Sequence, residues 1–267
     1  MDILDARKRF DMPRSAAISA AFSSWIACRE PRPHARLRLF CFPYAGSGAS
    51  IFRAWQIGLP TDVEVCPIQL PGRGTRLAER PFTRLTPLVE ALTEAIFPLL
   101  DKPFAFFGHS LGALVSFELA RELRRRYGMH PVRLFASSGH APQIPHRGPL
   151  IHTLPQREFL AELRRLNGTP KEVLEHEELM EIMLPLIRAD FALYETYAYE
   201  HDSPLSCPIA AFGGSHDRKV SHGDLAAWRC QTSGSFSSRM FPGDHFFMNA
   251  NLPLLLEAVC QELRGDY

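Results

Sequence analysis

The sequence lacks the cysteine pattern of a disulfide scaffold or a zinc site. Its six cysteines include no CxxC pair and are far apart: Cys28, Cys41, Cys66, Cys207, Cys230 and Cys260. Several lie within apolar runs such as LRLFCF and VEVCPI. Buried, reduced cysteines are typical of the cytoplasm. We therefore expect a cytoplasmic protein without structural disulfides or a cysteine-bound metal.

The chain also lacks an excess of charge of either sign. Its 267 residues carry 30 Lys and Arg against 29 Asp and Glu, a formal net charge of +1 at pH 7. No overall field favours nucleic acid or an anionic membrane. No stretch approaches the ~20 apolar residues of a membrane span, and Asp2, Asp5 and Asp11 are out of place before a signal peptide at 16–27. We expect no nucleic acid partner, no membrane association and a monomer.

Short apolar runs alternate with helical patterns along most of the chain. The runs predict strands buried on both faces, as in mostly parallel sheets; they are 37–42, 62–68, 104–108, 132–137, 207–213 and 237–241. Between them apolar residues recur with helical spacing, as from Leu88 to Leu99 and from Val115 to Leu123. The alternation predicts a doubly wound α/β domain, with a mostly parallel central sheet flanked by helices.

One segment interrupts this alternation. The residues between the strands at 132–137 and 207–213 show helical patterns and no convincing strand, over a length too great for a plain loop. We predict a helical lid insertion at about 145–205 in a single domain of residues 25–267. Residues 1–24 are expected to be an N-terminal extension, with disorder there plausible.

Within this insertion the sequence predicts breaks between helices. Thr169-Pro170 is typical of a helix start, and Pro185 predicts a kink or a split in the following helix. Together with Asn167-Gly168, these breaks and a broad apolar face favour a movable gate over the site. The alternative is a rigid helical subdomain whose apolar face is simply its core.

The segment FAFFGHSLGALVSFELA (104–120) contains a GxSxG motif centred on Ser110. The motif alone is a weak signal, but a strand, a sharp turn and a helix around it would lift the serine to the top of a sheet. A strand-like run precedes Gly108 and a helical run follows Gly112, so Ser110 is a candidate nucleophile. An ordinary strand-to-helix turn is the alternative. His109 is expected to pack or to form hydrogen bonds rather than to act as the base.

A nucleophilic serine needs a histidine base that is oriented by a carboxylate. In this kind of fold the chain order is Ser, then Asp or Glu, then His. Asp217 follows the strand-like CPIAAFGG, and His245 follows the last strand-like run, SSRMF. Asp244 is a rival acid, and Asp217 could instead cap the next helix. A metal site built from His216, Asp217, His222 and Asp224 is a further alternative without a sustained ligand pattern.

The loop after the first predicted strand, Phe42 to Ala49, is a second source of backbone N–H donors. The amides of Ala45 and Leu111 could converge on an oxyanion that develops beside Ser110. A glycine-rich loop could also cradle a phosphate, but AGSGAS has neither the P-loop lysine nor a GxGxxG pattern.

Five motifs carry a resemblance to a known family: CFPYAGSGAS (41–50), QLPGRGTR (69–76), FGHSLGALVSFELA (107–120), LNGTPKEVL (166–174) and FPGDHFFM (241–248). From about Trp25 to the C-terminus the chain resembles the type II thioesterases that accompany nonribosomal peptide and polyketide synthases. The resemblance implies an α/β-hydrolase fold with a helical lid. It also implies a triad at Ser110, Asp217 and His245 and oxyanion amides at Ala45 and Leu111.

The resemblance further implies an editing hydrolase without a metal or diffusible cofactor. It would release stalled or wrong acyl groups from the phosphopantetheine arm of carrier domains, in the biosynthesis of an antibiotic or a siderophore. A lipase or carboxylesterase acting on oxygen esters, and a carrier-binding scaffold without activity, are the alternatives. Two groups of arginines, at 73, 76, 80 and 84 and at 124–126, are either solvated surface charges or a docking surface for an acidic carrier.

Overall fold

The computed structural model describes residues 24–27, 31–166 and 171–265. A six-stranded sheet lies at the centre of these residues. Its strands are β1 (Leu37–Phe42), β2 (Val63–Pro67), β3 (Phe104–His109), β4 (Arg133–Ser137), β5 (Ile209–Gly214) and β6 (Phe236–Phe241). Neighbouring strands pair in parallel in the order β2-β1-β3-β4-β5-β6. The predicted α/β fold class with a mostly parallel sheet is confirmed.

Helices connect the strands and cover both faces of the sheet. In the described ranges they are α1 (Trp55–Gly58), α2 (Leu85–Ile96), α3 (Leu111–Tyr127), α4 (Gln156–Leu166), α5 (Lys171–Leu174), α6 (Glu177–Glu195), α7 (His222–Ala226), α8 (Phe247–Ala250) and α9 (Leu252–Leu263). Short 3-10 helices lie at Ala49–Phe52, Gly74–Arg76, Phe97–Leu99, Ile151–Thr153 and Ala227–Gln231.

Alternate side chains of β1 enter two separate hydrophobic cores. Phe40 and Phe42 pack on the side of α2 and α3, whereas Leu37, Leu39 and Cys41 pack on the side of α1 and α9. Successive side chains of a strand point to opposite faces, so coverage of both faces buries all six residues of β1. In open parallel sheets of this kind, ligands bind at the loops that follow the carboxyl ends of the strands.

Between β4 and β5 the described residues form helices α4, α5 and α6 and no strand. We refer to residues 145–205 as the helical insertion. It has a small core of its own, built around Phe159, Leu163 and Met180. Helix α6 runs without a break through Pro185, so the split predicted there is wrong. The helix tolerates the missing Pro185 N–H because flanking residues such as Leu184 and Leu186 are buried and hold it in place.

Some predictions fall outside the described residues. These are the N-terminal extension, except for Ser24, together with Asn167-Gly168 and Thr169-Pro170. No helix in the described part of the chain has the length and apolar character needed to cross a membrane.

Candidate active site

The turn between β3 and α3 presents Ser110 in a strained conformation. Its backbone has φ 54° and ψ −115°, a region that costs a non-glycine residue about 1–3 kcal/mol. The two motif glycines allow the close approaches around this turn. A Cβ on Gly108 would lie 2.1 Å from the carbonyl oxygen of Gly112, and a Cβ on Gly112 would lie 2.2 Å from that of Phe42. The GxSxG spacing is therefore a steric requirement of the turn.

Two further predicted residues lie beside Ser110. The His245 Nε2 atom is 3.0 Å from Ser110 Oγ, and His245 Nδ1 is 2.8 Å from Asp217 Oδ2. Because an ionised carboxylate only accepts, Nδ1 carries the proton and Nε2 is left to accept the Ser110 hydroxyl proton. His245 follows β6 and Asp217 follows β5, so both side chains come from carboxyl ends of parallel strands.

The Asp217 carboxylate is enclosed and well supplied with donors. Its side chain is fully buried, and its other oxygen accepts the N–H groups of Lys219 and Val220 at 2.8 and 3.2 Å. Burial raises the pKa of Asp217. The hydrogen bond and charge of His245, together with these two backbone donors, lower the pKa by more than burial raises it. The net pKa lies below the usual value, which keeps the carboxylate charged beside His245.

The rival acid and the neighbouring histidine have other partners. Asp244 is exposed, and its Oδ1 accepts the Phe246 N–H at 2.9 Å. His109 is fully buried, with Nε2 2.9 Å from the His245 carbonyl oxygen and Nδ1 2.9 Å from Ser137 Oγ. A carbonyl only accepts, so Nε2 of His109 is protonated and Nδ1 accepts from Ser137. His109 thus supports the backbone of His245, which agrees with the hydrogen-bonding role predicted for it.

The two predicted oxyanion donors line the same cavity as Ser110 and His245. Leu111 begins α3, where first-turn N–H groups have no helical acceptor. Ala45 lies in the loop that follows β1, the neighbour of β3. The cavity has a volume of about 460 Å³, within the usual range for a small-molecule site. Helix α6 contributes Ile187, Phe191 and Tyr194 to its wall.

Two polar features of this cavity were missed from the sequence. His140 Nδ1 lies 2.8 Å from the Tyr194 hydroxyl, and both residues line the cavity; no sequence signal pairs them. Asp190 is a buried carboxylate on α6. An aspartate inside the apolar helical pattern MLPLIRADFAL predicts a buried, paired carboxylate, so this signal was available.

Burial contradicts the docking role considered for two of the seven arginines. Arg73 and Arg76 are buried and form ion pairs with Asp190 and Glu79. Arg76 also lies over the ring of Trp25. On α3, the three arginines of the group 124–126 form ion pairs with Asp202 and Glu122. The docking hypothesis is therefore wrong for Arg73 and Arg76. For the exposed Arg80 and Arg84, and for the ion-paired arginines at 124–126, it stays a prediction.

None of the described residues form a group of three or more His, Cys, Asp or Glu side chains that could hold a metal ion. Of the residues considered as metal ligands, Asp217 is hydrogen-bonded to His245. Asp224 closes a capping box with Ser221 at the start of α7.

A parallel sheet of this order, with a strained serine turn after a central strand, is the α/β-hydrolase fold. The Thioesterase domain family matches residues 37–265, and the chain belongs to this family of thioester-hydrolysing enzymes. The chain is 50% identical over 242 residues to the gramicidin S biosynthesis protein GrsT of Aneurinibacillus migulanus, covering 91% of this chain and 94% of that protein.

Two other similarities point the same way. The thioesterase PikA5 of Streptomyces venezuelae is 41% identical over 227 residues, covering 84% of this chain and 80% of that protein. The structure of the type II thioesterase BorB from the borrelidin biosynthetic cluster superposes with a TM-score of 0.82 at 35% identity. The superposition covers 90% of this chain and 97% of the BorB chain. The resemblance to type II thioesterases that the motifs indicate is confirmed.

Proposed function

We propose that this chain is an editing thioesterase in which Ser110, His245 and Asp217 form the catalytic triad. Its substrates are stalled or aberrant acyl groups on the phosphopantetheine arms of carrier domains, in nonribosomal peptide or polyketide biosynthesis. The observation that carries the proposal is the hydrogen-bonded chain from Ser110 through His245 to Asp217 at the wall of a cavity. The similarity to GrsT, PikA5 and BorB supports the substrate class.

In the proposed first half-reaction, the Ser110 oxygen attacks the thioester carbonyl as its proton passes to His245 Nε2. The charge of Asp217 stabilises the imidazolium that forms. The tetrahedral intermediate then collapses, the C–S bond breaks, and His245 returns the proton to the leaving pantetheine sulfur. In the second half-reaction, His245 takes a proton from water as the water oxygen attacks the acyl-serine carbonyl. The bond between the acyl carbon and Ser110 Oγ then breaks, and His245 returns the proton to Ser110 Oγ, which releases a free acid. Neither half-reaction requires a metal or a diffusible cofactor.

We assign the oxyanion N–H groups to Ala45 and Leu111, which come from the loop after β1 and the start of α3. Donors that are fixed before the reaction are worth about 10²-fold to 10³-fold each in kcat. We also propose that the helical insertion acts as a lid within a single domain of residues 25–267. The enzyme would act as a monomer in the cytoplasm.

The test compares hexanoyl-pantetheine with the matched hexanoyl oxygen ester, for the parent chain and for Ser110→Ala. We expect the parent to prefer the thioester and Ser110→Ala to lose at least about 10⁴-fold in kcat with an unchanged unfolding temperature. A fluorophosphonate should label the parent at Ser110 only. A preference for the oxygen ester would favour a carboxylesterase, and a parent that is neither labelled nor active would favour a scaffold.

A further inference from the structure

A buried ion pair joins the LPGRG motif to the helical insertion. The guanidinium of Arg73 donates to both carboxylate oxygens of Asp190 on α6, at 2.8 and 2.7 Å. The exposed fractions of the two side chains are 6% and 1%. Two charges are rarely taken out of water without further hydrogen bonds to satisfy them. The other hydrogen bonds of Arg73 and Asp190 therefore indicate which part of the chain the ion pair holds in place.

Those contacts lie on the loop after β1. Asp190 Oδ2 accepts the Gly46 N–H at 2.7 Å, and Arg73 Nη1 donates to the Ser47 carbonyl at 2.9 Å. Gly46 has φ +78°, a left-handed conformation that glycine adopts without a steric penalty. The ion pair thus binds the two residues that directly follow Ala45.

The same loop is held from a second side. Gln69 Oε1 accepts the Ala49 N–H at 2.9 Å, and Gln69 Nε2 donates to the Arg73 carbonyl at 2.8 Å. Gln69 and Arg73 both belong to QLPGRGTR. This motif therefore braces the loop, although none of its residues line the cavity that contains Ser110. Among the described residues, the hydrogen bond from the Gly46 N–H to the Asp190 carboxylate is the one that joins this loop to the insertion.

We propose that Asp190, oriented by Arg73, is a positioning residue that fixes the Ala45 N–H for the oxyanion. This inference rests on the proposed function, because it takes Ala45 as an oxyanion donor. A donor displaced by about 1 Å loses much of its effect on the transition state, a loss on the order of 10²-fold. The ground-state complex makes little use of that donor, so the loss belongs in kcat rather than in KM.

The test uses double variants that leave no buried charge without a partner. Arg73→Met/Asp190→Leu removes the ion pair and the acceptor for the Gly46 N–H. Arg73→Met/Asp190→Asn removes the charges but keeps a side-chain oxygen that can accept from Gly46. The matched control, Arg38→Met/Glu64→Leu, removes another buried pair, whose exposed fractions are 8% and 1% and which joins β1 to β2.

We expect kcat for hexanoyl-pantetheine to fall about 10-fold to 100-fold in Arg73→Met/Asp190→Leu, with KM within about threefold of the parent. The Asn variant should recover most of that kcat, and the control should retain the parent kcat. If the Leu variant does not fold, the single Arg73→Lys variant takes its place. Its kcat should fall by less than in the Leu variant, again with little change in KM, because lysine cannot make the two parallel contacts with Asp190.

Three results would overturn the positioning role: an unchanged kcat in the Leu variant, a loss confined to KM, or an equal loss in the Asn variant or the control. An inactive parent would count against the proposed function instead. The two failures are therefore distinguishable in one set of measurements.

Discussion

At the residue scale, two aspartates compete for the role of the carboxylate that orients His245, namely Asp217 and Asp244. Asp217 is bonded to the His245 ring, whereas Asp244 accepts a backbone N–H in its own turn. Asp217→Asn should place the imidazole in the wrong tautomer and lower kcat on the order of 10⁴-fold. Asp244→Asn is the matched control and should retain nearly all activity. Steady-state kinetics with hexanoyl-pantetheine would decide, and the reverse pattern would identify Asp244 as the acid.

His109 gives the folded protein a pH dependence that is separate from catalysis. Burial, and then the charge of His245, lowers the pKa of His109 to about 3. The unfolded imidazole binds a proton below about pH 6.5, while the folded one does not. The free energy of unfolding should therefore decrease as the pH falls from about 6.5 towards 3, by up to about 1.4 kcal/mol per pH unit from this group.

The variant His109→Gln should remove that contribution. Urea unfolding would be measured at a series of pH values from about 3.5 to about 6.5, between the folded and unfolded pKa values of His109. We expect the free energy of unfolding to change less steeply with pH in the variant than in the parent. Equal slopes would mean that His109 takes up a proton in the folded state.

Sequence reasoning at this scale located Ser110, Asp217 and His245, because each follows a strand-like run and their chain order suits a hydrolase. The partner of each side chain was not available from the sequence. Whether Asp217 or Asp244 reaches His245 depends on how two loops meet after β5 and β6. The Arg73–Asp190 pair joins residues 117 positions apart, which no local pattern specifies.

At the element scale, helix α3 packs unusually close to the end of β1. A Cβ on Gly112 would meet the carbonyl oxygens of Phe42 and Pro43 at 2.2 and 2.9 Å. Gly112→Ala should therefore push α3 away, lowering the free energy of unfolding by about 1–3 kcal/mol and moving the Leu111 amide with it. In the control Gly223→Ala on α7, the new Cβ would meet only Ser221 Oγ, at 3.6 Å.

Chemical unfolding and thioester kinetics would test this pair of variants together. The control should change the free energy of unfolding by less than about 1 kcal/mol and leave kcat unaltered. A Gly112→Ala protein as stable and active as the control would show that the helix can move away without cost. It would contradict the claim that the turn requires glycine at this position for steric reasons.

The elements themselves were largely predictable. The six predicted runs correspond to β1–β6. Coverage of both faces buries β1 to β5 along their whole length, but the predicted burial is wrong for the edge strand β6, where Ser238 and Arg239 are exposed. The prediction at Pro185 was wrong in its stronger form, since α6 continues through it. The C-terminal half of α6 is held by Leu193 in the main core and by Asp190 at Arg73, and tertiary packing of this kind overrides a local helix breaker.

At the scale of the whole molecule, the order of the strands explains where the site lies. The chain runs from β1 outward to β2 and returns to β3 on the other side of β1, which opens a crevice at the carboxyl ends of β1 and β3. The loop bearing Ala45 and the turn bearing Ser110 leave the sheet on either side of that crevice. The helical insertion then closes it into a cavity, with walls from both α6 and the core.

The central claim is that this chain removes acyl groups from carrier domains through Ser110, and intact-mass spectrometry of a loaded carrier tests it most directly. A phosphopantetheinylated carrier domain charged with a panel of acyl groups would be incubated with the parent chain or with Ser110→Ala. The account predicts that the parent converts acyl-carrier to free-thiol carrier and acid, while Ser110→Ala leaves the acyl mass in place. Carriers that stay acylated with the parent, or that lose their acyl groups equally fast with Ser110→Ala, would contradict it.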